Sequence, residues 1–209
     1  MKTILMQGDS ITDASRSREW DGNPGHGYPT LVASALEYNY PGKVKVINRG
    51  VSGDRIVDIY ARIKKDIINI APDYMSILIG VNDVWHEFMF QNGVSAFKFE
   101  KVYSDVISEI KEALPDIGIV ILEPFVLKGE ATEKDFDEFE KEVKLRAAAS
   151  KRIAEKFSLP FVYLQKKFDE ALLKAPADWW LGDGVHPTAA GHSIIAKELV
   201  PVFEKLIEE

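Results

Sequence analysis

In the run Met75-Ser76-Ile77-Leu78-Ile79 a single side chain of five is polar. A strand so uniformly apolar suits the middle of a parallel sheet covered on both faces, since one wet face would impose alternation. Four other short runs rich in β-favouring residues accompany it, at residues 3–7, 44–48, 118–122 and 161–164. Between them apolar residues recur at helical spacing. Pro29 opens a helix over residues 30–38 with Leu31, Ala35 and Leu36 on one face, and Ile56, Ile59, Tyr60, Ile63 and Ile67 mark a second. Phe99, Val102, Tyr103, Val106 and Ile110 mark a third over 95–114, and residues 133–157 form a long charged fourth. A short helix at 168–173 follows, then a closing one carrying Ile195, Leu199 and Phe203, which Pro201 is expected to kink or split. Strands alternating with helices build right-handed crossovers, so the expected fold is α/β, a three-layer α/β/α sandwich on a five-stranded parallel sheet. No repeat, low-complexity tract or linker interrupts the 209 residues, and one domain spanning 1–209 is expected.

Charge and composition narrow the function. A net charge of -7 argues against a polyanionic partner, so no nucleic acid is expected. With no cysteine there is neither a disulfide framework nor a thiolate metal site. No histidine and carboxylate grouping has metal-ligand spacing, and no metal or other cofactor is expected. Met1-Lys2 leads within six residues into Gly8-Asp9-Ser10, which leaves no room for a secretory signal. No apolar run approaches the roughly 20 residues that cross a bilayer. A cytoplasmic chain without a membrane partner is expected.

The residues just past the strand ends carry the chemistry. Gly8-Asp9-Ser10 puts a serine at the C-terminal edge of the first strand, where open α/β sheets bind ligands. A serine hydroxyl needs a base, a group to orient that base, and donors for an oxyanion. His186 is a base of near-neutral pKa, and Asp183, three residues earlier in a glycine-containing turn, can reach back to its ring. Gly53 offers a closely approaching backbone N–H and Asn82 an uncharged amide, with the Ser10 N–H as a third donor. Asp9 and Asp54 are read as holding loops through backbone hydrogen bonds.

Four blocks appear in order: Gly8-Asp9-Ser10-Ile11-Thr12, Ser52-Gly53-Asp54, Gly80-Val81-Asn82-Asp83 and Asp183-Gly184-Val185-His186-Pro187. In these the chain resembles the GDSL/SGNH hydrolase family. The resemblance implies a flavodoxin-like SGNH hydrolase fold, Ser10 as nucleophile, Asp183 and His186 as the acid/base pair, and Ser10, Gly53 and Asn82 as the oxyanion hole. The wider text is similar to a bacterial branch of intracellular acetylxylan esterases, which deacetylate short xylo-oligosaccharides. It includes Asn48-Arg49-Gly50, Trp85 after Asn82-Asp83, Glu123-Pro124-Phe125 and Trp180.

A polar loop over residues 16–28 carries Trp20, His26 and Tyr28, and such loops often wall a pocket. Trp20, Tyr28, Arg55, Trp85 and Trp180 are taken as substrate contacts, because flat aromatic faces suit sugar rings. His26 and His86 are placed in pocket walls, and His192 at the surface or in packing. The expected function is a serine esterase that releases short acids, acetate above all, from oligosaccharide or other small-molecule esters. The alternatives are a lysophospholipase or thioesterase on the same site, or a non-catalytic flavodoxin-like binding module. The loop aromatics also allow a homo-oligomer.

Overall fold

The structure, a computed structural model, describes residues 1–208. Five parallel strands, β1 (Lys2–Gly8), β2 (Val44–Asn48), β3 (Tyr74–Leu78), β4 (Gly118–Leu122) and β5 (Phe161–Val162), lie in the order β2-β1-β3-β4-β5. Met6 pairs with Asn48 on one side and Ser76 on the other, and Leu78 pairs with Gly8 and Leu122. The carboxyl ends therefore finish along one edge. Because β2 and β3 lie on opposite sides of β1, the strand order reverses beside β1, and a crevice opens there.

Alternation along each strand divides the core between two layers. Ile4 and Met6 of β1, with Val120 and Leu122 of β4, pack under α2 (Tyr28–Asn39) and α9 (Ala189–Glu208). Leu5, Met75, Ile77 and Ile119 pack on the opposite face under α3 (Ile56–Ala61) and α5 (Ala96–Ala113). All five residues of β3 are buried, as expected of a central strand. The remaining helices are α1 (Ser10–Asp13), α4 (Val81–Phe90), α6 (Phe136–Phe157), α7 (Gln165–Ala171) and α8 (Ala177–Trp180). Among the described residues no helix is long and apolar enough to cross a membrane.

Several boundaries differ from expectation for local reasons. The helix after β2 stops at Ala61 and resumes as a wider π-type turn over Lys64–Ile68. Residues 81–90, where the apolar spacing marked no helix, are helical. Gly80, at φ +134°, makes the turn, so Asn82-Asp83 fall in the first turn of α4 while Val81 and Val84 are buried. β5 pairs only at Ile121–Phe161 and Leu122–Val162, and is shorter than residues 161–164. Pro201 does not split α9. The carbonyl it leaves unbonded, four residues back, belongs to exposed Lys197, where water can serve it.

Phe203, fully buried between the sheet and α2, tests this packing. Phe203→Ala is expected to cost about 3–5 kcal/mol, read as a lower urea midpoint. Trp179→Ala, at a ring 62% exposed, should stay within about 0.5 kcal/mol.

Candidate active site

β1 ends at a residue that only glycine can occupy. A Cβ on Gly8 would lie 2.3 Å from Thr12 Oγ1 and 2.4 Å from the Leu78 carbonyl oxygen. The chain then enters α1 under an Asp9 cap, whose Oδ1 accepts from the Ile11 N–H at 2.9 Å. Ser10 is thus the first residue of a helical turn standing on the carboxyl edge. Asp13, closing that turn, accepts from the Ser52 N–H (3.0 Å), the Ser52 hydroxyl (2.9 Å) and Arg18 (2.6 Å). The buried Asn48 amide donates to the Thr12 and Pro24 carbonyls and accepts from the Gly50 N–H. The loops after β1 and β2 are therefore fastened into one unit.

The Ser10 hydroxyl lies 2.9 Å from His186 Nε2, and His186 Nδ1 lies 2.7 Å from Asp183 Oδ2. The other Asp183 oxygen accepts from the Val185 and His186 N–H groups at 2.8 and 2.7 Å. Burial pushes the Asp183 carboxyl up, but hydrogen bonds from the His186 ring and from these two amides outweigh it and bring it to about 2. For His186 the largest effect is the Asp183 hydrogen bond, which raises its pKa above the ordinary value against the opposing effect of burial. Asp183 thereby keeps a proton on Nδ1 and leaves the Nε2 lone pair facing Ser10.

A second loop braces the acid. Leu127 N–H donates to the Gly184 carbonyl (2.9 Å) and Ala131 N–H to the Asp183 carbonyl (3.0 Å). The contact is close enough that a Cβ on Gly129 would lie 2.5 Å from the Asp183 carbonyl carbon. Gly184 itself sits at φ +97°. Nothing in the sequence pattern marked residues 127–132, apart from the Glu123-Pro124-Phe125 text just before them.

Gly53 sits at φ +86°, with open space where a Cβ would be, so conformation rather than room calls for glycine. Asn82 Nδ2 donates one hydrogen to the Asp54 carbonyl at 3.1 Å and keeps a second. Among the described residues, the Ser10 and Gly53 N–H groups donate to no other protein group. Asp83, buried in α4, accepts the Ile56 N–H at 3.2 Å on both oxygens and ties the Gly53 turn to the helix that carries Asn82. Three free N–H donors thus belong to segments that are bonded together beside Ser10, an arrangement able to meet a developing negative oxygen.

The other expected contacts divide. The Trp85 ring stands 5.5 Å from that of His186, tilted by 47°. Tyr28, expected in the pocket wall, is instead fully buried: its hydroxyl bonds Thr12 Oγ1 at 2.9 Å, because α2 begins at Tyr28 and turns the ring inward. Trp180 rests against the core with its indole N–H committed to the Ala175 carbonyl. Trp20 is exposed on its loop. Arg55 pairs with Asp58 and reaches the Asn92 carbonyl, and it lines an 820 Å³ groove beside α4 with Val84, Phe88 and Arg146. His192 is a packing residue: its Nδ1 accepts the Tyr28 N–H, and burial lowers its pKa to about 4. Asp54 bonds Arg62 through its side chain, not the loop backbone.

The GDSL-like Lipase/Acylhydrolase family model matches residues 7–194. An acetylxylan esterase from Geobacillus stearothermophilus is 35% identical over 205 residues, covering 93% of this chain and 90% of that protein. The structure of Axe2, an acetylxylan esterase from the same organism, superposes with a TM-score of 0.85 at 32% identity, over 96% of this chain and 93% of that one. A GDSL-like lipase candidate from Parabacteroides merdae reaches a TM-score of 0.92 at 33% identity, over 97% and 95% of the two chains. Two Axe2 structures are of catalytic mutants, one replacing a serine by alanine and the other an aspartate.

The hydrogen-bonded pair has a direct spectroscopic signature. In an NMR titration the His186 imidazole should ionise above the ordinary 6.5, because its largest perturbation is the Asp183 hydrogen bond. In Asp183→Asn the remaining burial effect should bring it to 6.5 or below.

Proposed function

The chain belongs to the GDSL-like lipase/acylhydrolase family and is a carboxylic ester hydrolase, and on that premise we propose that it removes acetyl groups from short oligosaccharides through an acyl-enzyme on Ser10. The observation that carries the mechanism is the 2.9 Å approach of the Ser10 hydroxyl to His186 Nε2, with Asp183 at 2.7 Å behind the ring.

Ser10 Oγ attacks the ester carbonyl as its proton passes to Nε2. The resulting imidazolium is stabilised by Asp183, whose low pKa keeps it ionised throughout. The carbonyl oxygen, now anionic, accepts from the Ser10 and Gly53 N–H groups and the free Asn82 amide hydrogen. Collapse breaks the bond to the sugar oxygen, which leaves with the proton from Nε2, and Ser10 is acetylated. A water then gives its proton to Nε2 and attacks the same carbonyl. Its collapse frees acetate and returns the proton to Ser10. The Trp85 ring, 5.5 Å from that of His186, supports a role for this residue as the flat face against the sugar that carries the acetyl group. Acetyl and oligosaccharide specificity is supported by the 35% identity to the acetylxylan esterase, which spans nearly both chains.

Ser10→Ala should abolish turnover of acetylated xylobiose and also prevent labelling by a fluorophosphonate, with the thermal melt unchanged. Asn82→Ala should lower kcat about 10²–10³-fold, the usual effect of one lost oxyanion donor. The acid limb of kcat/KM should follow the His186 ionisation, since only the neutral ring accepts the proton. A preference for a palmitoyl ester over acetylated xylobiose would contradict the substrate reading.

A further inference from the structure

Three segments meet in a notch of about 450 Å³ apart from the Ser10–His186 pair, lined by Arg16, Arg18, Arg49, Val51, Lys65 and Asp66. The chain as a whole carries a net charge of -7, yet four of these six residues are cationic. Ion pairing accounts for two. Arg18 meets Asp13 at 2.6 Å, and Arg49 forks onto Asp21 at 2.5 and 3.0 Å. Asp66, the one acid in the lining, is taken by Arg62 at 3.1 Å.

Two cations remain. Arg16 Nε donates to the Gly50 carbonyl at 2.7 Å and Nη1 to the Ser17 carbonyl at 3.3 Å, but no carboxylate pairs with it among the described residues. The Lys65 ammonium, exposed on the π-type turn, has no hydrogen-bond or ion-pair partner among the described residues. Burial, then the charge of Arg18 and to a smaller extent that of Arg49, pull Arg16 down to about 10 against the opposing charges of Asp13 and Asp66. A partly buried guanidinium crowded by like charge is unfavourable, and a bound anion would offset that cost. Planar guanidinium forks match the paired oxygens of carboxylate and phosphate.

We propose that this notch is a binding site for a small oxyanion, a carboxylate or phosphate group, held chiefly by Arg16 and Lys65. Arg16 and Arg18 both grip the Gly50 carbonyl, and Arg49 precedes it in the same segment. An anion here therefore joins charges anchored to residues 49–50, three positions before Gly53. The anion is either free in solution or an acidic group carried by the substrate.

Calorimetric titration of the purified chain with inorganic phosphate and with glucuronate, at constant ionic strength in chloride, tests the site. Saturable binding is expected, weakened about tenfold or more in Lys65→Ala and in Arg16→Gln, the scale of one lost charge-assisted hydrogen bond. Lys98→Ala, in the groove beside α4, should leave it unchanged. Lys65 is exposed, so its variant keeps the fold and decides the matter even where Arg16→Gln does not fold. If the group rides on the substrate, an acetylated oligosaccharide bearing a uronic acid will show a lower KM than its neutral counterpart, and Lys65→Ala will remove the difference. Equal KM values with phosphate binding intact assign the site to a free anion. Absence of saturable binding, or binding that survives both substitutions, overturns the proposal.

Discussion

The Asp183 carboxylate accepts three hydrogen bonds within one turn of chain, from the Val185 and His186 amides and from the His186 ring. That grip sets the tautomer, height and direction of the imidazole that meets Ser10. Its position depends in turn on backbone contacts that leave no room for a side chain. Gly129 approaches the Asp183 carbonyl carbon, and Gly8 lets β1 turn into α1 against the Leu78 carbonyl. The sheet matters because it delivers these loops to one edge. Its strand order opens the crevice beside β1, and the two core layers hold the strands rigid beneath it.

The aspartates of this region show how burial and hydrogen bonding together decide the charge of an acid, Asp183 being half-buried and Asp9 and Asp83 fully so. Asp183 lies near 2, because three donors outweigh burial. Asp9 is raised to about 7, chiefly by burial, and one of its oxygens has no partner among the described residues. Asp83 is raised to about 8, again by burial, with only the Ile56 amide on its oxygens. The consequences for stability are opposite in sign. Asp183 stabilises the fold above its unfolded value of 3.8, and that contribution is lost as pH falls toward 2. Asp9 and Asp83 bind protons more tightly when folded, so their contribution fades as pH rises from 3.8 toward 7 and 8.

Much of this was legible in the residues because each chemical role needs a type at a particular place. A serine straight after a strand, an Asp-x-x-His turn and an unbroken apolar run each imply their surroundings, and β4 and α5 fell at or within one residue of their expected bounds. The losses came where tertiary contact overrode local preference. The spacing marked no helix over residues 81–90, but Gly80 makes the turn there, and the buried faces of Val81 and Val84 draw the segment into α4. Tyr28 reads as a loop aromatic near a pocket, but α2 begins two residues earlier than the expected 30–38 and takes it into the core. The brace from residues 127–132 had no signal, since backbone N–H and carbonyl groups do the holding and any residue type carries them.

The most direct test of the central claim is rapid acid quenching during turnover of an acetyl ester, followed by peptide mass analysis. The expected result is an acetyl group on the peptide containing Ser10, appearing and decaying at rates consistent with kcat. Steady turnover with no acetylation at Ser10, or with the acetyl group on another residue, would contradict the mechanism.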